Sequence, residues 1–151
     1  MRKMIAAVSI AGISLFTPLT AFAQSTTTPL TPSTMDLHPT KVTPKATGAV
    51  TVKAAGAGQF AIHVDAHGLP KPATLKSKNV RRTYLAWIIN GKDMKNMSVL
   101  TLTAGRNAGD YTADGTVTLP LVSEVMITAD LKPAQTMPTM PQITLLQTGK
   151  M

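Results

Sequence analysis

The stretch "QFAIHVDAH" at residues 59–67 decides the fold class. Phe60, Ile62, Val64 and Ala66 alternate with Gln59, Ala61, His63, Asp65 and His67. A period of two sends alternate side chains to opposite faces of a pleated strand, one face to a core and the other to solvent. "GLPKP" at 68–72 ends the strand, because proline lacks the N–H that a ladder needs. Upstream, "AVTVKA" (49–54) alternates in the same way. Downstream, "TYLAWII" (83–89) is apolar on both faces, which suits a central strand covered on both sides.

Turn chemistry and further strands follow. "NGKD" (90–93) supplies Asn and Gly, which tolerate the positive φ of tight turns. "SVLTLTA" (98–104), "EVMITAD" (124–130) and "QITLLQT" (142–148) read as strands. "YTADGTVTL" (111–119) reads as one strand or as two short ones around Asp114-Gly115. Seven strands with no helical pattern predict an all-β domain over residues 48–151. The expected form is a small antiparallel β-sandwich of immunoglobulin-like type, with closure into a barrel as the alternative. Trp87, the only tryptophan, is expected to fill the gap between two sheets.

The N-terminal part reads differently. Arg2 and Lys3 precede an apolar run from Met4 to about Leu19, and Ala21-Phe22-Ala23 offers the small residues that signal peptidase requires. Residues 1–23 are therefore read as a signal peptide cleaved before Gln24. A run of roughly 18 apolar residues is also long enough to anchor in a bilayer, but Pro18 beside the cleavage motif favours removal. No second run of that length occurs, so no transmembrane segment is expected after cleavage, and the location is periplasmic or secreted. With no cysteine, neither a disulfide nor a lipidated cysteine is available. Residues 24–47, "QSTTTPLTPSTMDLHPTKVTPKAT", are dense in Thr and Pro and read as a disordered linker.

The chain is basic, with a formal net charge of +8. Lys71, Lys76, Lys78, Arg81 and Arg82 fall in "KPATLKSKNVRR" with no acidic residue among them. Such a patch suits an anionic surface such as headgroups or acidic polysaccharide. Nucleic acid is not the expected partner, because no aromatic residues interleave with these charges for base stacking. Catalytic patterns are missing: there is one glutamate (Glu124), and no nucleophile elbow, zinc-protease helix motif or phosphate loop. The chain is read as non-enzymatic.

Two constellations could ligate a metal. His63, Asp65 and His67 share one strand face at i, i+2 and i+4, where two imidazoles and a carboxylate suit zinc or Cu(II). The competing reading is a solvated polar face. His38 is a weaker addition. Met94 and Met97 form one Met-x-x-Met and Met137 and Met140 another, and thioethers are soft ligands for Cu(I). Methionine also serves as a filler of irregular packing, which is the competing reading there.

Several segments together resemble a known family. "YLAWIINGKDMKNMSVLTL", "GDYTADG" and "SEVMITADLKPAQTMPTMPQITLLQTG" are similar to the extracytoplasmic C-terminal domain of the anti-sigma-K factors. Tyr84, Trp87 and Gly91 match its apolar strand and turn, Val125 to Asp130 its next strand, and Pro138, Thr139 and Pro141 its Pro-rich connection. Family members carry an anti-sigma segment and a membrane helix before this domain. Here a signal peptide and a Thr/Pro-rich linker stand in their place. The resemblance implies a β-sandwich sensory or interaction module, exported alone, whose partner is an unknown protein or an anionic envelope component. A copper- or zinc-binding periplasmic protein is the alternative.

Overall fold

The structure is a computed structural model that describes residues 32–91, 96–133 and 135–149. The signal-peptide reading of residues 1–23 falls outside these, as does Met94. Eight strands form: β1 (Ser33–Pro39), β2 (Thr47–Gly56), β3 (Gln59–His67), β4 (Thr83–Ile89), β5 (Met97–Ala104), β6 (Tyr111–Thr118), β7 (Glu124–Asp130) and β8 (Thr144–Gln147). A 3-10 turn, Pro72–Thr74, interrupts the β3–β4 connection. Every pairing is antiparallel, in the order β1-β2-β3-β6-β5-β4-β7-β8, and β8 returns to β1. The all-β, antiparallel expectation holds. The seven-stranded sandwich is corrected to a closed barrel of eight strands.

The difference comes from β1, which lies in the segment read as a disordered linker. β1 pairs with β2 from Ser33↔Val52 to Leu37↔Gly48, then crosses to β8 through His38↔Gln147 and Pro39↔Leu146. β5 turns the opposite corner. Its residues Met97 to Leu102 pair with β4, whereas Thr103 and Ala104 pair with β6. Each corner is therefore two residue pairs wide, so the barrel keeps the two-layered character of a sandwich while leaving no full-length strand edge unpaired. Gly48 makes the first corner possible. A Cβ there would stand 2.6 Å from the Asp65 carbonyl oxygen and 3.0 Å from Leu37 Cδ1.

Alternation fills the interior. Val50, Val64, Tyr84, Ile88, Val125, Ile127, Leu145 and Leu146 are buried in one cluster. β4 is buried on both faces, as its sequence requires. Its outward residues Leu85, Trp87 and Ile89 form a second cluster with Met126, flanked by Met97 and Val99. Trp87 thus lies on the outer face of β4 instead of between two sheets. The Pro-rich connection between β7 and β8 is bound across this face. Gln135 Nε2 and the Thr139 N–H both donate to Asp130 Oδ1, at 3.2 and 2.6 Å, and Gln142 Nε2 lies 2.8 Å from Met126 Sδ. Beneath it, Trp87 Nε1 donates to Thr128 Oγ1 at 2.7 Å, and that hydroxyl donates to Asp130.

Among the described residues no helix is long and apolar enough to cross a membrane. The outer faces of β2, β3 and β6 carry Lys53, His63, Asp65 and Asp114 around an apolar interior. A membrane-spanning barrel has the opposite arrangement, with an apolar band outside.

Candidate functional site at the basic end of the barrel

Antiparallel neighbours send successive connections to alternate ends of a barrel. The β1–β2, β3–β4, β5–β6 and β7–β8 connections therefore share one end, and the β2–β3, β4–β5 and β6–β7 turns share the other. Charge follows this division. Of the ten lysines and arginines among the described residues, nine lie in the first set: Lys41 and Lys45, then Lys71, Lys76, Lys78, Arg81 and Arg82, then Arg106, then Lys132. Only Lys53 lies elsewhere, on β2. Eight of the nine are exposed.

Carboxylates do not offset this end. Among the described residues, every ion pair involves a histidine. Asp130 is buried and accepts from Thr128, Gln135 and the Thr139 N–H. Asp110, in the β5–β6 connection, is held by His67 Nδ1 at 2.8 Å and by Asn107 Nδ2 at 2.9 Å. These donors hold its carboxyl below the usual aspartate range, the His67 bond contributing most. Among the described residues no carboxylate pairs with the exposed lysines and arginines of this end.

The loops of this end are tied to one another. Thr40 N–H donates to the Leu145 carbonyl at 3.0 Å, and Thr43 Oγ1 to the same oxygen at 2.9 Å. Leu69 N–H donates to the Gly109 carbonyl at 3.1 Å. Gly109 adopts φ +90°, and a Cβ on it would meet the Leu69 carbonyl oxygen at 3.3 Å, so glycine permits the close approach of the two loops. Tyr84 Oη donates to the Pro70 carbonyl at 2.5 Å, with burial pushing its phenol pKa up so that it stays a neutral donor.

Arg81 is the exception among the predicted surface cations. It is 0 % exposed, and its Nη2 donates to the Pro141 carbonyl at 2.7 Å while Nε reaches Ser77 Oγ at 3.2 Å. It straps the β3–β4 connection to the β7–β8 connection from inside and presents no charge to a partner. Its Nη1 is buried with no hydrogen-bond partner among the described residues, and nothing in the structure explains that. Lys71, Lys76, Lys78 and Arg82 are exposed as expected.

The predicted metal ligands on β3 are not brought to one point. His63 lies between two carboxylates, Nδ1 2.5 Å from Asp114 Oδ1 and Nε2 2.9 Å from Asp65 Oδ2. Each ring nitrogen faces a carboxylate oxygen, an arrangement that favours the doubly protonated ring over the neutral one. Its pKa is accordingly raised, first by the Asp114 bond and then by Asp65. His67 turns instead to Asp110. Among the described residues no group of three His, Cys, Asp or Glu side chains is placed to hold a metal ion. Of the methionines, Met97 packs against the Trp87 cluster. Met137 and Met140 stand out from the Pro-rich connection at 68 % and 75 % exposure. His38 sits where β1 crosses to β8.

Sequence reasoning missed Lys41, Lys45, Arg106 and Lys132 as members of the basic end, and Asp114 and Asp110 as the histidines' partners. The signal for the first group is topological, since the four residues come from three separate connections. The partner of His63 follows from the register His63↔Asp114 between β3 and β6. Comparison of the chain with protein-family models, with curated proteins and with solved structures found no match.

Proposed function

We propose that this is an exported, non-enzymatic interaction module that docks through the basic end of its barrel onto an anionic component of the cell envelope. The observation that carries the reading is the gathering of eight exposed lysines and arginines at one end, with no carboxylate among the described residues paired to any of them. A concentrated field of one sign attracts a polyanionic surface and speeds association with it. At the opposite end the β2–β3 turn and the segment 119–123 carry no charged residue and Leu121 stands 58 % exposed, while the sequence of the β4–β5 connection supplies Lys92, Asp93 and Lys95, charges of both signs. The resemblance to the extracytoplasmic domain of anti-sigma-K factors supports an interaction role. The described titratable groups support a non-catalytic one, since the carboxylates nearest the histidines are engaged in structural pairs.

The test is sedimentation with vesicles of phosphatidylcholine containing increasing phosphatidylglycerol. Binding should rise with anionic content and fade between roughly 0.05 and 0.5 M salt, as the Debye length shrinks to a few ångströms. Equal binding to neutral vesicles, or binding that persists at high salt, would remove the proposal.

A further inference from the structure

Within the basic end one feature is an open groove between two loops. A groove of about 600 Å³ runs between the β3–β4 connection and the β5–β6 connection, lined from Gly68 to Lys71 on one side and from Ala104 to Tyr111 on the other. Its exposed charged side chains are Lys71 and Arg106. Tyr111 is half-buried beside them, and among the described residues its hydroxyl makes no hydrogen bond. Burial raises that phenol's pKa, so it remains a proton donor at neutral pH. The one carboxylate in the groove, Asp110, has its two oxygens engaged by His67 and Asn107.

Both walls are fixed before any ligand arrives. The Tyr84 and Tyr111 rings pack edge to face at 4.8 Å, which sets the Tyr111 ring. Tyr84 Oη holds the Pro70 carbonyl, which sets the backbone leading to Lys71. Leu69 N–H holds Gly109, and Gly105 N–H donates to the Asp110 carbonyl at 2.7 Å, which sets the loop carrying Arg106. A prearranged site loses less conformational entropy on binding than one that must form around its ligand.

The geometry points to this groove as a subsite for a phosphate monoester, with Lys71, Arg106 and Tyr111 as the donors. A terminal phosphate offers three acceptor oxygens and close to two negative charges. Arginine supplies a planar fork of donors, lysine a mobile point charge and tyrosine a neutral O–H, so one groove lining holds three donors of different geometry suited to a compact dianion. The terminal phosphate of a lipid headgroup and that of a phosphorylated sugar share this chemistry. The inference rests on the surface-docking reading and narrows it to one ligand group.

The experiment compares vesicles containing phosphatidate, a monoester, with phosphatidylglycerol vesicles, a diester, matched in zeta potential. It adds calorimetric titration with glycerol 3-phosphate. The wild-type protein should bind phosphatidate vesicles several-fold more tightly than phosphatidylglycerol vesicles, and glycerol 3-phosphate should compete. Lys71→Gln/Arg106→Gln should lower glycerol 3-phosphate affinity at least about a hundredfold, since it removes both charge-assisted donors. The same variant should erase the monoester preference yet keep salt-sensitive binding to both vesicles through the remaining cations. Tyr111→Phe, with an unchanged circular dichroism spectrum, should reduce the preference without abolishing it. Tight binding of glycerol 3-phosphate without a vesicle preference would assign the site to soluble phosphorylated ligands. Equal binding of the wild type to both vesicle types with no calorimetric signal, or a double variant that keeps the preference, overturns the subsite and leaves surface docking intact. No binding to either vesicle together with no calorimetric signal overturns both.

Discussion

Thr128→Val tests the outer cluster that the fold places against β4 and β7. The substitution keeps the β-branched shape and removes the hydroxyl of a residue that is 1 % exposed. That hydroxyl accepts from Trp87 Nε1 at 2.7 Å and donates to Asp130. Its loss leaves a buried indole N–H with no partner, at a cost of about 1–3 kcal/mol, and takes a charge-assisted bond of about 1.5–3 kcal/mol from a buried carboxylate. Asp130 keeps its bonds from Gln135 and Thr139, so the smaller halves of both ranges apply and the expected loss is about 3 kcal/mol. Urea unfolding followed by the fluorescence of the single tryptophan measures it. With a slope near 2 kcal/mol per molar, the midpoint should fall by about 1.5 M while the slope stays unchanged. A double-mutant cycle with Trp87→Phe, followed by far-UV circular dichroism because that variant lacks the only tryptophan, then isolates the shared bond, and the coupling should be about 1–2 kcal/mol. A loss below about 1 kcal/mol, or strict additivity of the two substitutions, would refute the network.

Other perturbations address the corner, the polar face and the strap. Gly48→Ala should cost about 1–3 kcal/mol, because its Cβ meets the Asp65 main chain, which cannot swing aside as a side chain can; thermal unfolding reads it. His63, with its pKa raised in the folded protein, contributes stability that is complete below the unfolded value near 6.5 and is lost as pH rises through the folded value. The ring is half-exposed, so the change should stay below about 1 kcal/mol, and His63→Gln should flatten the pH profile of unfolding just above 6.5. Asp110, with its pKa lowered, works in the opposite sense: its contribution is present above the unfolded value near 3.8 and disappears as pH falls through the folded value. Chemical-shift titration of the two side chains reads both directions. Arg81→Ala should destabilise by more than Arg81→Met, because the longer side chain refills the buried space while both lose the bond to Pro141; equal losses in urea would remove packing from the account of Arg81.

Strand positions were largely legible because alternation survives wherever one face is buried. β3, β4 and β7 span the residues their patterns mark, and 111–119 resolves into one strand. β1 was not legible. It offers only Met35 and Leu37 to the inside, among Thr, Pro and charged neighbours, and composition outweighs so short a period. Its absence from the reading turned a barrel into a sandwich, since seven strands cannot close through β1. The outer position of Trp87 was hidden for a related reason: β4 is apolar on both sides, and sequence does not say which side is the barrel interior. The candidate site was legible only in part. "KPATLKSKNVRR" marks a basic loop, but Lys41, Lys45, Arg106 and Lys132 join it only once the strands alternate in direction. Arg81 looks identical to Arg82 in sequence and is buried by a contact 60 residues away. The shared face of His63, Asp65 and His67 was read correctly, but the cross-strand carboxylate at Asp114 claims His63.

The most direct test of docking through the basic end is amide hydrogen exchange with and without phosphatidate-containing vesicles. Added protection confined to residues 40–46, 68–82, 105–110 and the β7–β8 connection around Lys132 is the predicted result. Protection centred instead on residues 57–58 and 119–123, at the opposite end of the barrel, would contradict it.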